Sequence, residues 1–122
     1  MTFLADARQH RAVADRNEQL ADHLTGRALD WSVVIMFYAA MHHVESFFVA
    51  RGLRASTSHG DRRRRMPRYF SRSFRNKYWT LYHQSCRARY DCWTPKQHDY
   101  DMLKQSTYDV VKAHILSTLQ IP

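Results

Sequence analysis

DWSVVIMFYAAMHHVESFFVAR, residues 30–51, is the stretch whose reading decides the fold. Trp31, Val33, Val34, Ile35, Met36, Phe37, Ala39, Ala40, Met41, Val44, Phe47 and Phe48 distribute apolar side chains almost all round a helix. That pattern belongs to a central helix enclosed by others rather than to a surface helix with one wet face. Asp30 is placed to cap its start and Gly52 to end it near Arg51. The longest unbroken apolar run, Val33 to Met41, falls far short of a membrane span. Against this background Tyr38, His42 and Glu45 are spaced to share one helix face, while His43 points to a neighbouring one. The three form either a polar cluster in a cleft or a network within the core.

Working outward, residues 3–25 read as an amphipathic helix with Phe3, Ala7, Ala14, Ala21 and Leu24 inside and Val13 and Leu20 on the flank. His10 and Asn17 fall on the same inner face, where they must find partners or line a cavity. Residues 53–60 are a polar connection. Ser58 or Asp61 starts a short basic helix that Pro67 interrupts. A third long helix over residues 72–92 turns Phe74, Tyr78, Leu81, Ser85 and Ala88 inward. Thr94-Pro95-Lys96-Gln97 reads as a helix start with Thr94 as the cap. The helix it opens runs to about Leu119, burying Leu103, Thr107, Val111, Ile115, Leu119 and His114. The expected structure is all-α, an up-and-down bundle of four long helices plus one short helix, forming a single domain over residues 1–122.

The surplus charge is segregated. Residues 51–90 carry twelve Arg and Lys against Asp61 alone, a net +11, whereas residues 1–50 carry −2 and residues 91–122 carry −1. A field so localised has a polyanion as its natural counterpart. Tyr69, Phe70, Phe74, Tyr78, Trp79, Tyr82 and Tyr90 lie in the same stretch, either as core or as stacking faces for bases. No secretory signal opens the chain, so a cytoplasmic location is expected. Cys86 and Cys92, six residues apart, lack the paired spacing of a zinc site even with His83 and His98 nearby. They read as free, partly buried thiols, and neither metal nor cofactor is expected. Phosphate loops, nucleophile elbows and His-Glu-x-x-His signatures are absent from the chain.

Phe37-Tyr38-Ala39-Ala40-Met41-His42, then Gly52, Ser58-His59-Gly60-Asp61-Arg62, Leu81-Tyr82 and Ala88-Arg89-Tyr90-Asp91 resemble the small bacterial branch of the HEPN superfamily (higher eukaryotes and prokaryotes nucleotide-binding domain). The resemblance spans about residues 5–118. It implies a HEPN-like bundle of four to five helices forming a homodimer, with a positively charged cleft at the interface. Many members are metal-independent endoribonucleases of toxin–antitoxin or defence systems. Others bind nucleotides or act beside a nucleotidyltransferase. The ribonuclease members carry an Arg-x(4–6)-His pair, in which His takes the 2′-OH proton and Arg steadies charge on phosphorus. Here Ser85 stands where that Arg is expected, and no His follows on the helix. Arg54 to His59 and Arg16 to His23 match only at the level of chance.

The resemblance therefore implies a rearranged site or a binding site. His59 is the candidate acid/base group or phosphate ligand, with a capping or solvent-exposed role as the alternative. Arg62 and Arg89 complete a candidate catalytic set. Arg54, Arg63, Arg64, Arg65 and Arg87 are candidate nucleic-acid contacts, against surface salt bridges. Tyr90 either stacks on a base or packs at a helix end. The expected function is RNA or nucleotide binding, with ribonuclease activity beyond it. The alternative is a non-catalytic module that binds a nucleotide or a protein partner such as a nucleotidyltransferase or antitoxin.

Overall fold

The computed structural model describes residues 5–119, and all regular structure within them is helical. Helix α1 spans Ala7–His23. Asp6 and Gln9 cap it reciprocally: Asp6 accepts from the Gln9 N–H at 2.8 Å, and the Gln9 side chain accepts from the Asp6 N–H at 2.7 Å. Ala14 and Ala21 are buried, letting the next helix approach closely, while Leu20 is exposed. Phe3, expected on the same face, lies outside the described residues.

A tight turn at Leu24–Gly26 leads into α2, Leu29–Ala50. Its cap position is Ala28 rather than Asp30, which lies inside the first turn, where its charge favours the positive helix end. Gly52 adopts φ +79°, and the Gly52 and Leu53 N–H groups bond back to Val49 and Phe48. This left-handed turn closes the helix as expected. α2 is long and apolar enough to cross a membrane by length and composition, but 67% of that window is buried inside the bundle. Trp31 departs from the expected all-round burial and is 56% exposed.

Ser58 caps α3, His59–Arg65, accepting from the Asp61 N–H at 3.0 Å. Pro67 then imposes a 3₁₀ turn at Met66–Arg68, which drives Met66 fully into the core. α4, Arg72–Tyr90, is capped by Ser71 and buries Phe74, Tyr78, Leu81 and Ser85 along one stripe. The last helical stretch begins at α5, Gln97–Leu103, with Lys96 rather than Thr94 at the cap position; the Asp99 carboxylate accepts from the Lys96 N–H at 2.9 Å. A π-helical segment, Lys104–Tyr108, joins it to α6, Asp109–Leu119. The reason lies in the spacing of the buried positions Leu103, Thr107, Val111 and Ile115. Each four-residue step overshoots a 3.6-residue turn by about 40°, and a wider π turn restores the stripe to the core. His114 was expected inside but is exposed, its ring 5.0 Å from that of Phe74.

α2 is the hub, packing on α1, α4, α5 and α6. Phe37 meets Tyr78 and Tyr82, and Phe47 meets Phe70 just before the start of α4, so α2 and α4 run antiparallel. Lys112 reaches Glu18 at 2.8 Å, and Tyr100 donates to Asp22 at 2.6 Å, tying the last helices to α1. The aromatics of the basic stretch divide: Phe70, Phe74 and Tyr78 are core, Tyr69, Trp79 and Tyr82 pack partly buried against it, and Tyr90 is 71% exposed.

Candidate functional site

Tyr38, His42 and Glu45 share a face of α2, and each binds a different neighbour. Tyr38 accepts from Arg89 Nη1 of α4 at 3.3 Å. His42 Nδ1 lies 3.1 Å from His10 Nδ1 of α1, so one imidazole donates to the other. Glu45 is buried, 3.5 Å from Arg62 of α3, and accepts from the Ser56 backbone N–H at 2.8 Å and hydroxyl at 3.1 Å. The stripe is thus a three-way tie between helices. Of the expected polar cluster in a cleft, Glu45 belongs to the interior instead.

Arg62 follows Glu45 inward. It is 5% exposed, and its charge faces Glu45, so it is not available to the catalytic set in which it was expected. Its role is to position His59: Arg62 Nη1 donates to His59 Nδ1 at 3.0 Å. A guanidinium only donates, so Nδ1 must be the accepting nitrogen and the neutral ring carries its proton on Nε2. Burial, then the positive charges of Arg62 and Arg89, hold the His59 pKa below its ordinary value. The ring packs 5.2 Å from Tyr82 and 5.8 Å from Phe37. Burial also lowers His10 and His42, helped at His42 by His10 and opposed at both by Glu45.

Arg89 is held by its own helix and by α2. Its Nε donates to the Ser85 carbonyl at 3.4 Å, and its Nη2 lies 3.4 Å from Ser85 Oγ and 3.6 Å from Cys86 Sγ. No carboxylate lies within salt-bridge distance among the described residues. Ser85, placed where the HEPN resemblance expected an Arg, therefore orients Arg89, one turn further along the helix. Tyr90 stands beside Arg89, whose guanidinium carbon is 5.0 Å from the Tyr90 ring centroid.

The remaining arginines spread over two flanks. Arg63 is exposed and lies 5.3 Å over the Trp79 ring, on the side of α4 that carries Tyr82 and Arg89. Arg64 and Arg65 approach Asp61 at 3.9 Å each, and Arg65 also donates to the Arg54 carbonyl at 2.6 Å. Arg54 is exposed. Arg87 stacks 4.1 Å over Trp93 and donates to Gln84 at 2.9 Å. Two residues apart on a helix means about 200° apart in direction. Arg87 therefore faces α5 while Arg89 faces α2, and the single basic surface expected to hold both is divided by α4. Among the described residues, Arg62, Arg64 and Arg65 alone of the twelve cations in 51–90 come within 4.0 Å of a carboxylate.

Among the described residues no three His, Cys, Asp or Glu side chains converge to hold a metal ion. Cys86 is half-buried and Cys92 exposed, both unpaired. Helical spacing did not single out His10 as a partner for His42, or Trp31 as a surface aromatic. Each has its signal only in the pairing of helices, which helical spacing alone does not contain. No family model, curated protein or solved structure matches this chain.

Proposed function

We propose that this chain is a HEPN-type module that, as a homodimer, binds RNA along the flank where α3 meets α4 and leaves it uncut. The observation that carries the reading is the unpaired charge. Nine of the twelve cations in residues 51–90 have no carboxylate within 4.0 Å among the described residues. Surface guanidinium groups left without carboxylates, several of them spread over aromatic rings, are suited to exchanging counterions for phosphates. Arg89, already oriented by Ser85 and Tyr38, presents the best-organised of them.

The tautomer of His59 favours binding over cleavage. A general base needs a bare ring nitrogen facing the 2′-OH. Here Arg62 occupies Nδ1 and the proton sits on Nε2, so the ring donates to a phosphate oxygen rather than accepting a proton.

The test is a single-stranded RNA oligonucleotide titrated into the full chain over a salt series, with EDTA present. If Arg63, Arg89 and Arg75, which lies one helical turn before Trp79 on α4, each displace a counterion, log K falls against log salt with a slope of about −2, and the RNA is recovered intact. Binding that is absent or indifferent to salt overturns the reading. Cleavage that is lost in His59→Ala overturns its non-catalytic part.

A further inference from the structure

Two of the most exposed large aromatic side chains, Trp31 at 56% and Tyr90 at 71%, stand at the rim of one cavity. Trp31 comes from the first turn of α2 and Tyr90 from the last turn of α4. Neither position requires an aromatic for the core. The cavity, about 360 Å³, is completed by Asp30, Val34, Ala88 and Arg89. Val34 and Ala88 give it an apolar floor. Asp30 forms no hydrogen bond or ion pair with any described residue, so an acceptor-only carboxylate stands in the lining without a donor. Arg89 lines the same cavity while its Nη1 reaches Tyr38, and its charge is felt at His59. The cavity and the phosphate-binding flank thus share one guanidinium.

Flat aromatic faces, an apolar floor and an unmatched carboxylate suit a nucleobase whose edge donates. Guanine alone among the common bases presents two adjacent donors, N1–H and the N2 amine, which match the two oxygens of a carboxylate. Adenine and cytosine offer one amine beside a ring acceptor that repels it, and uracil flanks its N3–H with two carbonyls.

We propose that this cavity is a nucleobase subsite selective for guanine, with Trp31 and Tyr90 stacking, Asp30 reading the base edge and Arg89 holding the adjoining phosphate. The proposal rests on the RNA-binding reading and adds to it the identity of the base. It is tested with heptauridylate and with heptamers carrying one central G, A or C, their affinities measured by fluorescence anisotropy. The G-bearing RNA binds about tenfold or more tightly than the others. In Asp30→Asn the ratio of G-bearing to all-uridine affinity falls to about one. Trp31→Ala and Tyr90→Ala each weaken the G-bearing RNA by about tenfold. Salt-dependent binding without base preference, or a preference that survives Asp30→Asn, overturns the subsite and leaves the RNA reading standing. Failure of every RNA to bind overturns both. Light scattering separates the remaining occupant: a dimer that Trp31→Ala splits makes this face an interface between copies and overturns the subsite. Asp30→Asn carries the test if Trp31→Ala fails to fold.

Discussion

His43 is fully buried, and neither ring nitrogen has a hydrogen-bond partner among the described residues. Burial lowers its pKa to about 4; Asp15 and Glu18 oppose the shift, and Lys112 and Arg11 reinforce it. In the unfolded chain the imidazole takes a proton as pH falls through about 6.5, whereas the folded ring refuses it until about 4. Stability is therefore full above pH 6.5 and declines from there to pH 4, by about 3 kcal/mol from this group. Urea unfolding followed across that window shows the decline in the wild type, and His43→Leu removes most of it. The Glu45–Arg62 pair makes a second prediction. Glu45→Gln leaves a buried guanidinium without its counter-charge and costs about 3 kcal/mol, while Glu45→Met combined with Arg62→Met recovers most of that loss. Glu45 was recognisable from sequence as a polar intruder, but its partner was not. Glu45 stands out inside an apolar helix, and Arg62 looks like any member of an arginine run. Only the docking of α3 on α2 distinguishes Arg62 from Arg63, Arg64 and Arg65.

At the scale of elements, two left-handed positions make opposite predictions. Gly52 ends α2 at φ +79°, with no atom of the described residues within 4 Å of an added Cβ, so the penalty of Gly52→Ala is conformational. It costs about 1 kcal/mol, a fall in Tm of about 4 °C. Cys92, just beyond α4, holds φ +56° without being glycine. Cys92→Gly relieves that strain, partly offset by a more flexible unfolded chain, and raises stability by about 0.5 kcal/mol. Thermal denaturation of the two variants checks both signs. Helix extents were largely readable, because apolar period, Ser58, Pro67 and Gly52 all act within one or two turns. The start of α5 was not: Thr94 and Asp99 both offer capping chemistry, and the path of the chain after Cys92 selects the latter. The π segment was equally hidden, although the four-residue spacing of Leu103, Thr107, Val111 and Ile115 that demands it was in view.

For the whole molecule, the consequence of the fold is that α4 divides a charge that is continuous in sequence. Arg89→Glu is expected to weaken RNA binding at least tenfold at physiological salt. Arg87→Glu, on the opposite side of α4 and about a helix diameter away, changes it by less than about threefold, because charge is screened over about 8 Å at physiological salt. Anisotropy titrations of the two variants decide this, and equal losses would mean that RNA wraps around α4. An all-helical chain with one encased helix and a strongly basic middle follows from residue order alone. Apolar periodicity, caps and net charge are properties of neighbours along the chain. Which arginines turn inward, which histidines meet, and which aromatics remain in solvent depend on contacts between residues tens of positions apart. Those contacts exist only once α2 is enclosed, because the burial of its apolar surface sets how the other helices rotate against it.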